Sequence, residues 1–177
     1  MQSKTILLLR HGKSDWNTAF GSDHQRPLAP RGEKAARLIG DWLHRVDLRP
    51  DRVLSSDAVR ALTTAQLAAE AGDWNCPIDL HPEFYSGSSA DLVRALNHLD
   101  DSVTTVLLAG HQPTWSQTAA LLSGGGTFRF PTAALACLVA SGPWTKVAPG
   151  RCELNWFVTP KLLAKARDPR GGATESR

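Results

Sequence analysis

Two histidines each come after a strongly apolar segment of the chain. Residues 5–9 run into Arg10 and His11, and residues 103–109 are followed, after one glycine, by His111. In an open α/β sheet, ligands bind beyond the carboxyl ends of the strands, so both imidazoles are expected at the edge where chemistry takes place. One such histidine would be weak support, but two at matched strand ends indicate a functional site.

A third predicted strand, residues 52–54, is followed by a helix that carries Arg60 near its first turn. If Arg60 converges with Arg10, His11 and His111, the pocket holds two guanidiniums and two imidazoles. Guanidiniums match phosphate oxygens and keep their charge, and nearby cations keep an imidazole unprotonated and nucleophilic. These residues therefore predict phosphoryl transfer in which the protein positions the groups and stabilises charge, without a metal.

The elements that must position these residues alternate along the chain, as in a layered α/β fold. Continuous apolar runs at residues 5–9 and 103–109 are typical of buried central strands. Further predicted strands cover residues 52–54, 77–80, 133–140 and 152–158, and helical spacing predicts helices over residues 35–46, 58–69, 92–99 and 114–122.

The ends of the elements give further expectations. Ser55, Ser56 or Asp57 is expected to cap the helix that follows. Because the chain turns polar beyond about Lys165 and loses its apolar periodicity, we expect one domain over residues 1–165 and a disordered tail over residues 166–177.

The composition narrows the possible partners. The 177 residues are 42% hydrophobic and carry a formal charge of +3, with the Lys and Arg residues spread along the chain rather than in a basic block. Nucleic acid is therefore an improbable main partner, and a pocket for a small anion suits the balance better. No apolar stretch reaches the ~18 residues that cross a bilayer, so we expect no membrane partner and a cytoplasmic protein.

Four blocks of the sequence resemble those of one family in order as well as in type. They are "LLLRHGKSDWN", "RPLAPRGEKAARLIG", "SSDAVRALTTA" and "GHQPT". They are similar to blocks of the histidine phosphatase superfamily, the phosphoglycerate mutase-like proteins, whose opening signature is R-H-G-x-[ST]-x-x-N. The resemblance spans roughly residues 4 to 125, and it implies a three-layer α/β/α sandwich with a mostly parallel central sheet and no cofactor.

The resemblance also implies roles for the core residues of the pocket. His11 would become transiently phosphorylated, while Arg10 and Arg60 grip the phosphoryl oxygens. His111 would be the second imidazole, hydrogen-bonded to the phosphoryl group in the transition state. Gly12 is expected to let the backbone turn close to the phosphate.

Other positions of the resemblance suggest secondary candidates. Ser14 and Asn17 fall on signature positions, and Arg26 matches a further phosphate-facing arginine of the short members. Glu83 is the candidate proton donor, with an ordinary surface carboxylate as the alternative; a phosphohistidine substrate would need little acid assistance. Lys13 replaces a commonly acidic residue, which makes the rim more positive and favours an acidic substrate surface.

Several functions remain open at this point. The connections after Asn17 and Glu83 are short and leave no room for a helical lid. Together with "FRFPTAALACLVA", this compact layout resembles the SixA-like phosphohistidine phosphatases, so the leading hypothesis is a phosphatase acting on phosphohistidine in a protein. The alternatives are a broad-specificity phosphomonoesterase for small phosphoesters and a non-catalytic phosphate-binding regulatory module. The oligomeric state is left open.

A metal hydrolase is disfavoured by the spacing of the remaining histidines. None forms an H-x-H or H-E-x-x-H pattern, so we assign no metal ligands. These histidines are His24, His44, His81 and His98.

Overall fold

Six strands form one sheet in the computed structural model, which describes residues 3–167. The strands are β1 Ser3–Arg10, β2 Arg52–Ser55, β3 Ile78–Leu80, β4 Thr105–Gly110, β5 Leu135–Ser141 and β6 Cys152–Val158. Their order is β3-β2-β4-β1-β5-β6; the first four strands pair in parallel, β5 pairs antiparallel with β1, and β6 pairs antiparallel with β5. The prediction of a mostly parallel central sheet is confirmed.

Five α-helices complete the described part of the chain. They are α1 Pro30–Arg45, α2 Val59–Gly72, α3 Ser89–Asn97, α4 Thr114–Ser123 and α5 Pro160–Arg167. Among them, no helix is long and apolar enough to cross a membrane.

Four of these helices are predicted by the apolar spacing of the sequence, and α5 is not. This helix is short, begins at a proline and buries one side chain, Leu163, against the core. One buried position is too little to produce a periodic apolar pattern. The helix extends to Arg167, two residues beyond the predicted end of the domain, and the rest of the predicted tail, residues 168–177, lies outside the described residues.

Strand β1 shows why the fold has three layers. Ile6 and Leu8 belong to a core cluster with α3 and α4, whereas Leu7 and Leu9 belong to a second cluster with α1, α2 and α5. All four leucine and isoleucine side chains are fully buried. Because side chains alternate along a strand, a continuous apolar run marks a strand covered on both faces.

The register of the parallel strands brings three chain segments to one edge of the sheet. Arg10 at the end of β1 pairs with Gly110 at the end of β4, and Ser55 at the end of β2 pairs with Ala109. The residues that come next along each strand therefore leave the sheet side by side.

Gly12 lies where the chain leaves β1 and passes the beginning of α1. A Cβ atom on Gly12 would lie 2.7 Å from the carbonyl oxygen of Gly32. The Gly12 N–H donates to Thr64 Oγ1 at 2.9 Å, and that hydroxyl donates to the Arg60 carbonyl at 2.6 Å. Close packing against the first turn of α1 thus requires a glycine at position 12, and the expected approach of this turn to phosphate stays a prediction.

A second close approach lies between α1 and α2, and it gives a test of the fold. A Cβ atom on Gly40 would lie 2.0 Å from the carbonyl oxygen of Ala68. We expect Gly40→Ala to lower the free energy of unfolding in water by roughly 2 kcal/mol, because separating the helices costs more than the ~1 kcal/mol that alanine gains in helix propensity.

Urea unfolding measures this difference. Lys34→Ala, at an exposed position of the same helix, is the control and should stay within about 0.5 kcal/mol of the unsubstituted protein. A Gly40→Ala protein as stable as the control would contradict the close packing of α1 on α2.

Candidate active site

His11 is fixed at the carboxyl end of β1 by backbone and side-chain hydrogen bonds. Its N–H donates to the Gly110 carbonyl at 2.9 Å, and its carbonyl accepts from the Ala133 N–H at 3.0 Å. Its ring Nδ1 lies 2.7 Å from the Gly12 carbonyl oxygen. Because a carbonyl oxygen only accepts, Nδ1 carries the proton, and Nε2 of the neutral ring keeps its lone pair. Nε2 is therefore the available nucleophilic atom.

The surroundings keep this imidazole neutral. Burial lowers the pKa of His11 to about 4, against the opposing effect of its bond to Gly12. The positive charges of Arg60, Arg10 and Arg26 contribute to the same lowering of the pKa. Near neutral pH the ring is consequently unprotonated, as a nucleophile requires.

His111 lies directly across from His11. The centroids of the two rings are 5.1 Å apart. His111 Nε2 is 3.0 Å from Ser56 Oγ, which also accepts from the Ala58 N–H at 3.3 Å. If the Ser56 hydroxyl donates to Nε2, the proton of the neutral ring is on Nδ1. Burial lowers the pKa of His111 to about 3, so this ring is also neutral.

The pocket contains buried donors that have no partner within the described residues. These are Arg10 Nε and Arg60 Nε, together with His111 Nδ1 in the tautomer in which Ser56 donates to Nε2. The rest of the Arg10 guanidinium is held by a 2.6 Å bond from Nη1 to the Phe130 carbonyl. Leaving a buried donor unsatisfied costs roughly 1–3 kcal/mol, so three donors around one imidazole indicate a site that is completed by an anion.

Asp23 orients two of the arginines, and the sequence analysis missed it. It lies in a 3-10 turn, Asp23–Gln25. One carboxylate oxygen accepts from Arg26 Nε at 3.1 Å and Nη2 at 2.7 Å; the other accepts from Arg60 Nη2 at 3.0 Å and from the Tyr85 hydroxyl at 2.9 Å. Although partial burial raises the pKa of Asp23, these hydrogen bonds and the arginine charges lower it overall, so the carboxylate is ionised.

Ser14 and Arg26 are hydrogen-bonded to each other beside the site. Arg26 donates from Nη1 to Ser14 Oγ, and its guanidinium lies 3.6 Å from the centre of the Trp16 ring. Asn17 is exposed, and its backbone N–H donates to the Asp15 carboxylate at 2.8 Å. No hydrogen bond among residues 3–167 connects the Asn17 side chain to the histidines. The structure thus brings Ser14 and Arg26 to the pocket and leaves Asn17 on the surface loop.

Glu83 points to a different partner. Its Oε1 accepts from His81 Nδ1 at 2.8 Å, and its side chain is 47% exposed. The hydrogen bond from His81 lowers the pKa of Glu83. A general acid needs a pKa raised toward neutrality, so this environment does not favour Glu83 as a proton donor.

Ser56 has a role other than the one considered from sequence. The residue before α2 is Ala58, and no side chain caps that helix. Ser56 instead bonds to His111, as described above.

Within the described residues, no group of three or more His, Cys, Asp or Glu side chains is placed to hold a metal ion.

The lowered pKa of His11 predicts how stability depends on pH. In the unfolded chain a histidine takes up a proton near pH 6.5, whereas folded His11 does so only at about 4. The unfolded state therefore binds more protons as pH falls between these values, and folding stability is lost. At ~1.4 kcal/mol per pKa unit, His11 accounts for roughly 2–3 kcal/mol of that loss by about pH 4.5.

The measurement compares His11→Asn, which cannot titrate at this position, with the unsubstituted protein. Urea unfolding at about pH 7 and about pH 4.5 should show that His11→Asn loses roughly 2–3 kcal/mol less on acidification. Near-UV circular dichroism at neutral pH checks that both proteins are folded alike. Equal losses in the two proteins would contradict a buried, neutral His11.

Comparison with known proteins places this site in a family. The sequence profile of the histidine phosphatase superfamily (branch 1) matches residues 6–85. An uncharacterized protein of Mycobacterium tuberculosis is 36% identical over 163 residues, which cover 86% of this chain and 100% of that protein. The phosphohistidine phosphatase SixA of Escherichia coli is 29% identical over 92% of this chain and 98% of its own.

A solved structure gives the same result for the fold. The protein histidine phosphatase SixA complexed with tungstate aligns with a TM-score of 0.78 at 28% identity, over 89% of this chain and 97% of that one. The resemblance found in the four sequence blocks is thus confirmed along nearly the whole chain. The chain belongs to the histidine phosphatase superfamily, and it is a SixA-like enzyme of the phosphatase class.

Proposed function

We propose that this phosphatase hydrolyses phosphohistidine in a protein, through a phosphoryl group carried transiently on His11. One observation carries the proposal: Arg10 Nε, Arg60 Nε and His111 Nδ1 are buried without a partner in the described chain, and the same arginines and His111 act on the neutral imidazole of His11, whose Nε2 makes no hydrogen bond there. A phosphoryl group supplies acceptor oxygens to the donors and an electrophilic phosphorus to Nε2. Both unmet requirements of the pocket are then satisfied by one ligand.

In the first step the phosphoryl group moves from substrate to enzyme. The Nε2 lone pair of His11 forms the new bond to phosphorus, while the bond to the leaving nitrogen breaks and its electron pair stays on that nitrogen. Arg10, Arg60 and His111 donate to the equatorial oxygens, where charge accumulates. The guanidiniums supply positive charge that never titrates away, so the proposal needs no metal.

In the second step water removes the phosphoryl group from His11. The water oxygen bonds to phosphorus, the electron pair of the broken bond returns to Nε2, and the water proton leaves with phosphate or solvent. Because the Gly12 carbonyl holds the proton on Nδ1 throughout, the phosphorylated ring is cationic and departs as a neutral imidazole. The hydrogen bond to Gly12 therefore keeps Nε2 nucleophilic in the first step and makes the imidazole a good leaving group in the second.

The absence of a suitable acid at Glu83 favours phosphohistidine over an ester. An ester oxygen leaves as a poor alkoxide unless an acid protonates it, whereas the imidazole of phosphohistidine leaves neutral when its other nitrogen is protonated. The similarity to the phosphohistidine phosphatase SixA supports the same choice.

The loops around the site support a protein-borne phosphoryl group. Between β1 and α1 the only helical element is the 3-10 turn Asp23–Gln25, and between β3 and α3 it is the 3-10 turn Pro82–Phe84. With no α-helical lid in either connection, a side chain on another protein can approach His11. A small ester would in contrast remain poorly enclosed.

The nucleophile is tested with His11→Asn and a synthetic phosphohistidine peptide. We expect at least ~10³-fold loss of kcat in the variant, and a phosphoryl group trapped on His11 of the unsubstituted protein by rapid acid-free quenching and mass spectrometry. EDTA should leave turnover intact. Turnover retained by His11→Asn would contradict the nucleophile, and a protein that binds phosphate without any turnover would be a regulatory module.

The Glu83→Gln variant distinguishes a phosphohistidine phosphatase from a phosphomonoesterase. Because Glu83 is ionised and paired with His81, we expect the variant to hydrolyse the phosphohistidine peptide with kcat/KM within about twofold of the unsubstituted protein. A chromogenic phosphomonoester is the comparison substrate. If the unsubstituted protein cleaves the ester faster than the peptide, and Glu83→Gln abolishes that rate, the protein is a phosphomonoesterase with Glu83 as its acid.

A further inference from the structure

A groove of about 650 Å³ borders the active site on the side of α1 and α5. Its apolar lining comes from Ala35, Leu38, Pro131 and Ala164. Among residues 3–167, no acidic residue lines the groove, whereas five cationic residues do: Lys13, Arg31, Lys34, Arg129 and Lys161. A groove of this size is comparable with ligand sites of ~300–1,000 Å³ and has room for a short peptide segment.

The cations of this groove have no ionic partner within residues 3–167, in contrast to several other surface arginines. Arg37 pairs with Glu70, and Arg52 pairs with Asp79. Two acids of α1, Glu33 and Asp41, line a neighbouring depression and not the groove. Asp41 there pairs with Arg45 and Arg167. No acid among residues 3–167 therefore neutralises the positive potential of the groove, which favours an anionic partner.

Chain connections place the groove at the rim of the catalytic pocket. Lys13 is two residues from His11, and Arg129 precedes Phe130, whose carbonyl holds the Arg10 guanidinium. A peptide segment bound in the groove could therefore belong to the same molecule as the group that enters the pocket.

We propose that this cationic groove docks an acidic segment, with some apolar side chains, of the same protein that presents the phosphohistidine. The proposal rests on the proposed function. Charge complementarity indicates the partner: the aliphatic floor takes apolar side chains, and the five cations, which have no ionic partner within residues 3–167, take carboxylates. Docking on this side would raise the specificity for one phosphoprotein without altering the chemistry at His11.

The test uses two phosphohistidine peptides of the same length, one with Asp and Glu beside the phosphorylated residue and one with Asn and Gln in their place. The groove variant is the double substitution Lys34→Glu and Lys161→Glu. Its matched control is Lys146→Glu with Arg151→Glu, two exposed cations that do not line the groove. We expect the unsubstituted protein and the control to prefer the acidic peptide by about tenfold in kcat/KM at low salt.

In the groove variant this preference should disappear, while its rate on the neutral peptide stays within about twofold. Near 1 M salt, where the screening length is ~3 Å, the preference should disappear in the unsubstituted protein too. Equal rates on both peptides in all three proteins would overturn the docking proposal and leave the proposed function standing.

A binding experiment separates failure of docking from failure of the proposed function. The fluorescence anisotropy of the unphosphorylated acidic peptide is measured with the same three proteins. If neither phosphopeptide is hydrolysed, the proposed function fails, and docking is then decided by this binding and its loss in the groove variant. No binding, together with a dimer in sedimentation that the groove variant dissociates, would assign the groove to a second copy of the chain and overturn the proposal.

Discussion

The parallel register of β1 with β4 is the constraint on which the candidate active site depends. It places Arg10 opposite Gly110, so that His11 and His111 leave the sheet at neighbouring points with their rings 5.1 Å apart. A shift of one residue would turn Leu7 and Leu9 from one core layer to the other and exchange the faces of every side chain in the strand. The apolar run that builds the core therefore also fixes the distance between the two imidazoles.

Burial gives this site both its reactivity and its cost. Burial lowers the pKa of both imidazoles, so both rings are neutral, and a neutral His11 keeps the lone pair that a nucleophile needs. Burial also leaves Arg10 Nε, Arg60 Nε and His111 Nδ1 without hydrogen-bond partners among the described residues. Such donors destabilise the protein without ligand, and the same free energy becomes available when a phosphoryl group binds. Preorganised donors are worth more here than in water because they need no rearrangement during the transfer.

The sequence was most informative where hydrophobic pattern and chemistry coincide. His11 and His111 could be located because each terminates a buried strand, and Arg60 because it begins the helix after another. Asp23 and Ser56 could not, because their roles depend on contacts across 37 and 55 residues of sequence. A carboxylate three residues before Arg26 was the only local signal for Asp23. Glu83 was suggested by position in the chain, but position says nothing of the hydrogen bond from His81 that lowers its pKa.

Asp23 shows how an acidic residue can support an anion site instead of opposing it. Its carboxylate accepts four hydrogen bonds, from Arg26, Arg60 and Tyr85. Arg60 uses Nη2 for this contact, and its Nε has no partner within the described residues. One negative charge thus offsets part of the repulsion between two buried cations while leaving a donor for the substrate. The net charge that remains favours phosphate, and the geometry is set before phosphate arrives. A pocket with arginines and no carboxylate would carry more positive charge, but ordering its side chains on binding would cost part of the binding free energy.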